Sequence, residues 1–554
     1  MITLVTLPGL RLDSPDIYMP SLKGFLKNNG YECKHWDCNI ASIYSKLCYE
    51  KIVEVLNRKK SIDIEKKVKE ILDAIDVLCG KIDSDYETYL KAGNTLKNAM
   101  RLFSEGYNIK WTPKEILLNE PVNSVVELKE VQEKKEICFF DDVFFQGFEK
   151  LNRDEQIVII SIVNNVRLLY AIRLSKLIND EYNCKIIFVG NYLSYIDNAL
   201  EDIAGAFPWI EYYIVGNTEE SILEILQEID IKKQEVQKPR ILKNNCTENI
   251  KQGLREKVQS IPDYSDLELS QYLSKKLVLP LSVSTGCFYG KCNFCSFHYG
   301  EGEFSLSSAE QIHRCLDEYV DKYNVEIINF VDKCIPIETV LEFSQYILDR
   351  NYCFKWMLET RVDEAYVREE NNALLLKAGC RLISFGIESA SQHLLDKMNK
   401  GLDISLAKEC IKKLHETGIT TAGTFMFQYP GEDVVSIQKT IDYLFENESL
   451  DLFGLMQFVL SKYSPLYFEN KDKIIVKKTD LRQTFEREIV SSISVDDGSL
   501  EREIENFFSN PLISAHFYEM SSILYRSHFL FLERDKYSFQ FRKKNLNLGI
   551  ASDN

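Results

Sequence analysis

Short apolar runs of strand length recur through the first part of the chain, at 2–8 (ITLVTLP), 31–38 (YECKHWDC), 137–142 (ICFFDD), 157–163 (IVIISIV), 185–190 (KIIFVG) and 212–216 (YYIVG). Between several of them, apolar residues return at three- and four-residue spacing, as in Pro20 to Asn29 and Leu168 to Asp180. Strands that alternate with amphipathic helices predict a doubly wound parallel sheet of the Rossmann-like type, with any cofactor at the carboxyl ends of the strands. Residues 39–136 interrupt the alternation with helical patterns, Ser42 to Leu56 and Ile64 to Leu78 among them, and read as a helix-rich insertion. The first unit spans 1–235.

Residues 232–270 are lysine-rich, then polar, and carry Pro262 with no regular apolar period, so an interdomain linker is placed at 236–276. A second unit, 277–470, has strand candidates starting at 277, 326, 353, 381, 420 and 452, each interval holding an amphipathic helix. Six repeats predict a partial (β/α)6 barrel, whose chemistry would come from the carboxyl ends of its strands and the loops that follow. From 471 to 554 the pattern turns helical and charged.

Composition narrows the function classes. A chain of 554 residues with 45% hydrophobic and 27% charged residues is an ordinary globular protein of two or three domains. A net charge of −17 repels phosphate backbones and anionic lipid, so no nucleic-acid partner is expected. The longest apolar run, Ile157 to Val163, is far below the ~20 residues that cross a bilayer, and the N-terminus has no basic n-region, so a cytoplasmic address is expected. There the 15 Cys would stay reduced. Most are isolated in apolar surroundings (Cys138, Cys184, Cys353, Cys380, Cys410) and read as small buried hydrophobes.

One group breaks that pattern. The segment TGCFYGKCNFCSFH places Cys287, Cys292 and Cys295 in a single loop after the first barrel strand, with four and then two residues between them. Three thiolates this close hold either a zinc ion completed by His298 as a Cys3His site, or a 4Fe-4S cluster with one iron lacking a protein ligand. Unligated thiols are the third possibility. Structural zinc loops usually close a small fold, whereas this loop crowns a barrel that needs no staple, which favours the cluster.

These residues resemble the radical S-adenosylmethionine (radical SAM) enzymes, and more narrowly those with an N-terminal cobalamin-binding domain, the class B radical SAM methyltransferases. The resemblance continues through IPDYSDLELSQYL, INFVDK, WMLETRVD, LLKAGCRLISFGIESASQHLLDKMNKG and FMFQYPGED, where Gln428 stands at a position often occupied by Gly. It implies a 4Fe-4S cluster on Cys287, Cys292 and Cys295, with Phe294 packed near the adenine. It further implies Asp332 at the methionine amino group, Arg361 at the carboxylate and Glu388 accepting from the amino or ribose groups. In the N-terminal unit it implies a cobalamin at the strand ends Val163, Asn164, Gly190, Asn191, Gly216 and Asn217, with no protein histidine below cobalt.

What the resemblance implies chemically is reductive cleavage of S-adenosylmethionine to a 5′-deoxyadenosyl radical, then methyl transfer to an unactivated carbon of a peptide or natural-product substrate. A reducing partner such as flavodoxin or ferredoxin would be required. Cyclisation or rearrangement without methyl transfer, and a non-catalytic zinc protein, are the competing readings. No Cys follows Cys410, so the C-terminal region holds no ligands for auxiliary clusters.

Overall fold

In the computed structural model, the described residues are 2–107, 109–119, 122, 124–148, 157–182, 184–196, 199–216, 218–232, 240–243, 255–256, 260–296, 304–461, 463–470, 474–475, 490–491, 499–514, 526–532 and 537–539. Two six-stranded parallel sheets organise them. The first contains β1 (Ile2–Thr6), β2 (Cys33–Asp37), β3 (Ile157–Ser161), β4 (Lys185–Val189), β5 (Tyr212–Val215) and β6 (Arg240–Lys243), in the order β2-β1-β3-β4-β5-β6. All of its pairings are parallel. The order reverses between β1 and β3, which makes the carboxyl edge there a switch point. One face buries Leu4, Ile159, Ile187 and Ile214, and the other buries Val5, Val158, Ile160 and Phe188 within the larger cluster that also holds the insertion. Burial on both faces explains the unbroken apolar runs.

The insertion is helical where described, with helices Cys38–Lys46, Tyr49–Arg58, Ile64–Leu78, Tyr86–Ser104 and Val125–Gln132 and a small hairpin, Ile109–Trp111 with Ile116–Leu118. The run 137–142, read as a strand, is instead the end of a 3-10 helix (Lys135–Phe140) continuing into a helix (Asp141–Phe148). Its neighbouring Phe139 and Phe140 both pack edge-on against Trp111, and Phe140 also against Tyr170. A short run buried on all sides has no period by which strand and helix can be told apart.

The expected linker is also more structured than its composition suggests. Residues 240–243 form the edge strand β6 of the first sheet. Residues 260–276 are pinned to both units: the backbone N–H of Asp263 donates to Pro20 and Lys23 pairs with Asp266 at 2.7 Å, while Tyr264 donates to the Pro280 carbonyl at 3.1 Å.

The second sheet contains β7 (Val278–Leu281), β8 (Ile327–Phe330), β9 (Lys355–Thr360), β10 (Cys380–Glu388), β11 (Thr420–Phe427) and β12 (Leu452–Gln457), in sequential order and all parallel. Six strands in sequence, each followed by a helix, form a partial barrel. Its outward residues, such as Ile328, Trp356, Leu358, Ile383, Phe385 and Phe453, pack under the helices. The inward residues at the amino ends, Val278, Ile327, Met357, Leu382, Ala422 and Leu452, meet Phe529, Leu530 and Tyr537 from the C-terminal region, which closes that end. In that region the described residues include a helix (Ser499–Ser509), a short 3-10 helix (Arg526–Leu530) and two two-residue strands. Among the isolated cysteines, Cys380 and Cys410 are buried, Cys138 and Cys184 half-buried, and Cys353 is exposed, contrary to its expected burial. No helix among the described residues is long and apolar enough to cross a membrane.

Candidate functional site

The chain leaving β7 is held before it reaches the cysteines. Asp332, just past β8, accepts hydrogen bonds from the backbone N–H groups of Val283 (2.9 Å) and Ser284 (2.5 Å) and from the Ser284 hydroxyl (2.7 Å). The Asp332 carboxylate therefore fixes the start of the cysteine loop. Cys287, Cys292 and Cys295 follow, all half-buried. Cys334, buried in the loop after β8, shares a hydrogen bond with Cys287; that thiol and the backbone N–H groups of Gly290 and Tyr289 hold Cys287 below the usual thiol range. Burial pushes Cys292 the other way, opposed by the nearby Lys400 and Arg361. Among the described residues, no three His, Cys, Asp or Glu side chains converge as a metal site. The donor set nonetheless fits an iron-sulfur cluster by its chemistry: three thiols in one nine-residue loop, Arg361 and Lys400 beside Cys292, and the loop at the open end of a barrel. His298, the proposed fourth zinc ligand, lies outside the described residues.

Arg361, immediately after β9, stacks its guanidinium over the Tyr289 ring at 3.6 Å and reaches within 4.0 Å of the Cys292 sulfur. It also donates to the Lys400 carbonyl. Glu388 ends β10 beyond a register shift at Gly386, in a left-handed conformation with φ of 70°. Such a conformation is costly for a residue with a Cβ and tends to occur where a side chain must be aimed. It is aimed at Lys400, whose Nζ donates to Glu388 Oε1 at 2.8 Å, both side chains being about a tenth exposed. Burial alone would lower the Lys400 pKa, but the Glu388 carboxylate and Cys292 hold it above its ordinary value. Gly386 leaves the pair its space, since a Cβ there would come within 3.0 Å of Glu388 Oε1 and 3.1 Å of Lys400 Nζ. Phe294 faces the same ammonium, with Lys400 Nζ 5.9 Å from its ring centre.

The fold thus gathers Cys287, Cys292, Phe294, Arg361 and Glu388 at one barrel mouth, while Asp332 is turned to the backbone. Lys400, Tyr289 and Cys334 were missed. Lys400 lies twelve positions after Glu388, beyond any helix or strand period, and only the turn Asn399–Gly401 brings it back.

The candidates of the first unit lie at the carboxyl ends of β3, β4 and β5. Asn164 caps the helix Asn165–Glu181, accepting from the Arg167 N–H at 2.9 Å. Gly190 has φ of 121°, and a Cβ there would lie 2.2 Å from the Ile162 carbonyl oxygen, so glycine is required by strand packing. Val163, Asn191 and Gly216 stand on the same edge, half-buried or exposed, and Asn217 lies outside the described residues. The nearest histidine of β2, His35, is instead buried, with Nε2 2.9 Å from Thr6 Oγ1; burial lowers its pKa to about 3. The two carboxyl edges meet where Tyr463, after β12, donates to the Tyr195 carbonyl at 3.3 Å, close after β4.

Comparison with known proteins agrees with this architecture. The chain is 23% identical over 321 residues to the anaerobic magnesium-protoporphyrin IX monomethyl ester cyclase of Rubrivivax gelatinosus, covering 54% of this chain and 56% of that protein. The chain thus spans about half the length of that curated relative. Its fold is shared with the cobalamin-dependent S-adenosylmethionine radical enzyme OxsB (TM-score 0.57, 14% identity, 95% of this chain and 71% of that one). It is also shared with the radical S-adenosylmethionine methyltransferase TsrM from Kitasatospora setae (TM-score 0.51, 12% identity, 85% and 74%). Residues 281–444, from the end of β7 into the helix before β12, match the model of the radical SAM superfamily, which marks that stretch as a radical SAM domain.

Proposed function

We propose that this chain is a cobalamin-dependent radical SAM enzyme that cleaves S-adenosylmethionine reductively and transfers a methyl group to an unactivated carbon of a peptide or small molecule. The observation that carries the reading is the barrel mouth itself, where the cysteine loop, Arg361 and the buried Glu388–Lys400 pair face one opening. Cys287, Cys292 and Cys295 would hold a 4Fe-4S cluster, and the edge at Val163, Gly190 and Gly216 a corrin. When bound, the cluster supplies the electron that breaks the sulfonium carbon–sulfur bond, and cobalamin supplies the methyl group.

The chain's own residues orient and shield. Arg361 offers a planar fork to the methionine carboxylate, already braced by the Tyr289 ring. Glu388 accepts from the amino or ribose groups, and Lys400 keeps that buried carboxylate compensated. Phe294 packs the adenine, and the barrel wall excludes water from the reacting carbon. The contact of Tyr463 with Tyr195, between segments that follow β12 and β4, supports a corrin within reach of the barrel mouth.

A second reading drops methyl transfer and closes or rearranges a ring; similarity over 321 residues to a protein named as a cyclase favours it. Anaerobic reconstitution with iron, sulfide and hydroxocobalamin, followed by dithionite and S-adenosylmethionine, tests both. The expected outcome is one 4Fe-4S cluster, corrin absorption and release of 5′-deoxyadenosine. Zinc with no iron would overturn the enzyme reading. A protein that cleaves S-adenosylmethionine yet stays colourless in the corrin bands, or a product that gains no carbon, would move the assignment to the second.

A further inference from the structure

Below the mouth, the barrel holds a second polar layer. Met357 of β9 packs among the amino-end residues of the other strands, so the alternate residues of β9 face the lumen. Glu359 is the next inward step, about 7 Å above that apolar floor, and Arg361 the step above it. From below, the 3-10 helix Arg526–Leu530 lodges Phe529 and Leu530 in the floor and sends Arg526 up past them. Its NH1 donates to Glu359 Oε2 at 2.7 Å and to Ser384 Oγ at 3.1 Å.

This pair differs from the other ion pair of the lumen. Glu388 and Lys400 are about a tenth exposed, whereas Arg526 and Glu359 remain 37% and 44% exposed. They are exposed although apolar residues close the barrel beneath them, so the space they face is the lumen. Gly454, on the inward face of β12 and paired in register with Thr424, agrees with that space: a Cβ there would meet no described residue within 4 Å. Ser384, the register partner of Glu359 on β10, is small and polar.

We propose that Glu359 and Arg526 form the head-group subsite of the substrate, and that the substrate presents a zwitterion of the free α-amino-acid type, its ammonium on Glu359 and its carboxylate on Arg526. The layer carries one charge of each sign and is neutral as a pair. A lone anion or cation would satisfy one partner and leave the other facing like charge or empty lumen, whereas a zwitterion engages both and leaves neither unpaired. An arginine fork suits a carboxylate, and only one of its nitrogens is bonded to Glu359 in the structure. The subsite lies directly below the Arg361 layer, so a side chain rising from such a head group points toward the mouth where the radical reading places its chemistry; the proposal rests on that reading only for the reaction, not for the binding.

The test uses the full chain reconstituted anaerobically with its cluster and follows binding of the free L-α-amino acids by calorimetry, together with their N-acetyl and carboxamide derivatives. At least one free amino acid should bind, and acetylation or amidation of that ligand should weaken binding at least tenfold. Glu359→Gln and Arg526→Gln should each weaken it at least tenfold. Arg526 also anchors the C-terminal plug, so Gly454→Leu provides an independent variant: it fills the lumen without touching either charge and should abolish binding while far-UV circular dichroism and cluster absorption stay intact. A protein that cleaves S-adenosylmethionine but binds no free amino acid, or binds one equally well after both charge substitutions, overturns the subsite and leaves the radical reading standing. Amino-acid binding with these losses, in a protein that cannot cleave S-adenosylmethionine, supports the subsite and overturns the reaction.

Discussion

The two parallel sheets have the same number of strands, and the segments after their carboxyl edges touch at Tyr463 and Tyr195, yet the two edges present different polar groups. In the first unit some strand-end groups are taken up by the chain itself, while the buried Ser161 and Arg167 keep Oγ, and Nε and NH1, without a hydrogen-bond partner among the described residues. Asp37, at the end of β2, accepts from the N–H groups of Asn39 and Ile40 and from the Tyr272 hydroxyl at 2.6 Å, and Asn164 is spent on a helix cap. In the barrel, the strand ends and the loops after them bring Cys292 beside the Arg361 fork and, deeper, Glu359 beside Arg526. Equal topology therefore does not imply equal readiness to bind. What distinguishes the edges is which polar groups remain after the backbone has taken its share: a buried guanidinium and a hydroxyl on the first, a thiol beside a guanidinium on the second.

The largest effect expected from breaking this contrast is at the cysteine loop. Replacing Cys287, Cys292 or Cys295 by Ala should abolish iron incorporation, read as iron content and loss of visible absorption, while the far-UV spectrum of the first sheet persists. Retention of a full cluster in any one of the three variants would remove that residue from the ligand set.

Next comes the compensated pair at the mouth. Lys400→Met leaves the Glu388 carboxylate buried without its cation, and removing one partner of such a pair costs about 3 to 5 kcal/mol. Denaturant midpoints should fall accordingly and binding of S-adenosylmethionine should weaken. Wild-type stability in this variant would mean that Glu388 finds another partner.

Glu432, after β11, gives the comparison a pH axis. Burial pushes its carboxyl up to about 7, against the backbone N–H groups of Gln428 and Tyr429 that favour the charged form. Because the folded state holds this proton more tightly than the unfolded one, its contribution to stability is present in full below about pH 4.5 and is lost as pH rises toward 7. The loss amounts to roughly 3 kcal/mol. The stability of wild type relative to Glu432→Gln should therefore decline across that window; a difference that is flat with pH would show that Glu432 ionises normally.

The smallest effect is expected at the first sheet. Gly190→Ala pushes a Cβ against the Ile162 carbonyl and should destabilise by roughly 1 to 3 kcal/mol. If the edge holds a corrin, cobalt content after reconstitution should fall while the cluster remains. Full cobalt occupancy would separate the role of Gly190 in strand packing from corrin binding.

Much of this molecule is written in local pattern. The barrel strands begin within two residues of the positions where the apolar runs start, because a strand buried on both faces needs an unbroken run and each crossover needs an amphipathic helix. The cysteine loop is equally legible, since its three thiols lie within nine residues of chain. Where the signal was not local, the sequence was silent or misleading. The run 137–142 looks like a strand because its surroundings, not its period, make it a helix. Residues 260–276 look like a linker, although Tyr264 and Tyr272 bind the two units together. Nothing local to Glu359 announces its partner Arg526, which stands 167 positions later in the chain. The sequence by itself determined which elements form and which thiols share a loop, because those depend on neighbours along the chain. Only the tertiary structure decided which charges are compensated and which face open space, because burial and partner geometry are set by segments that meet only after folding.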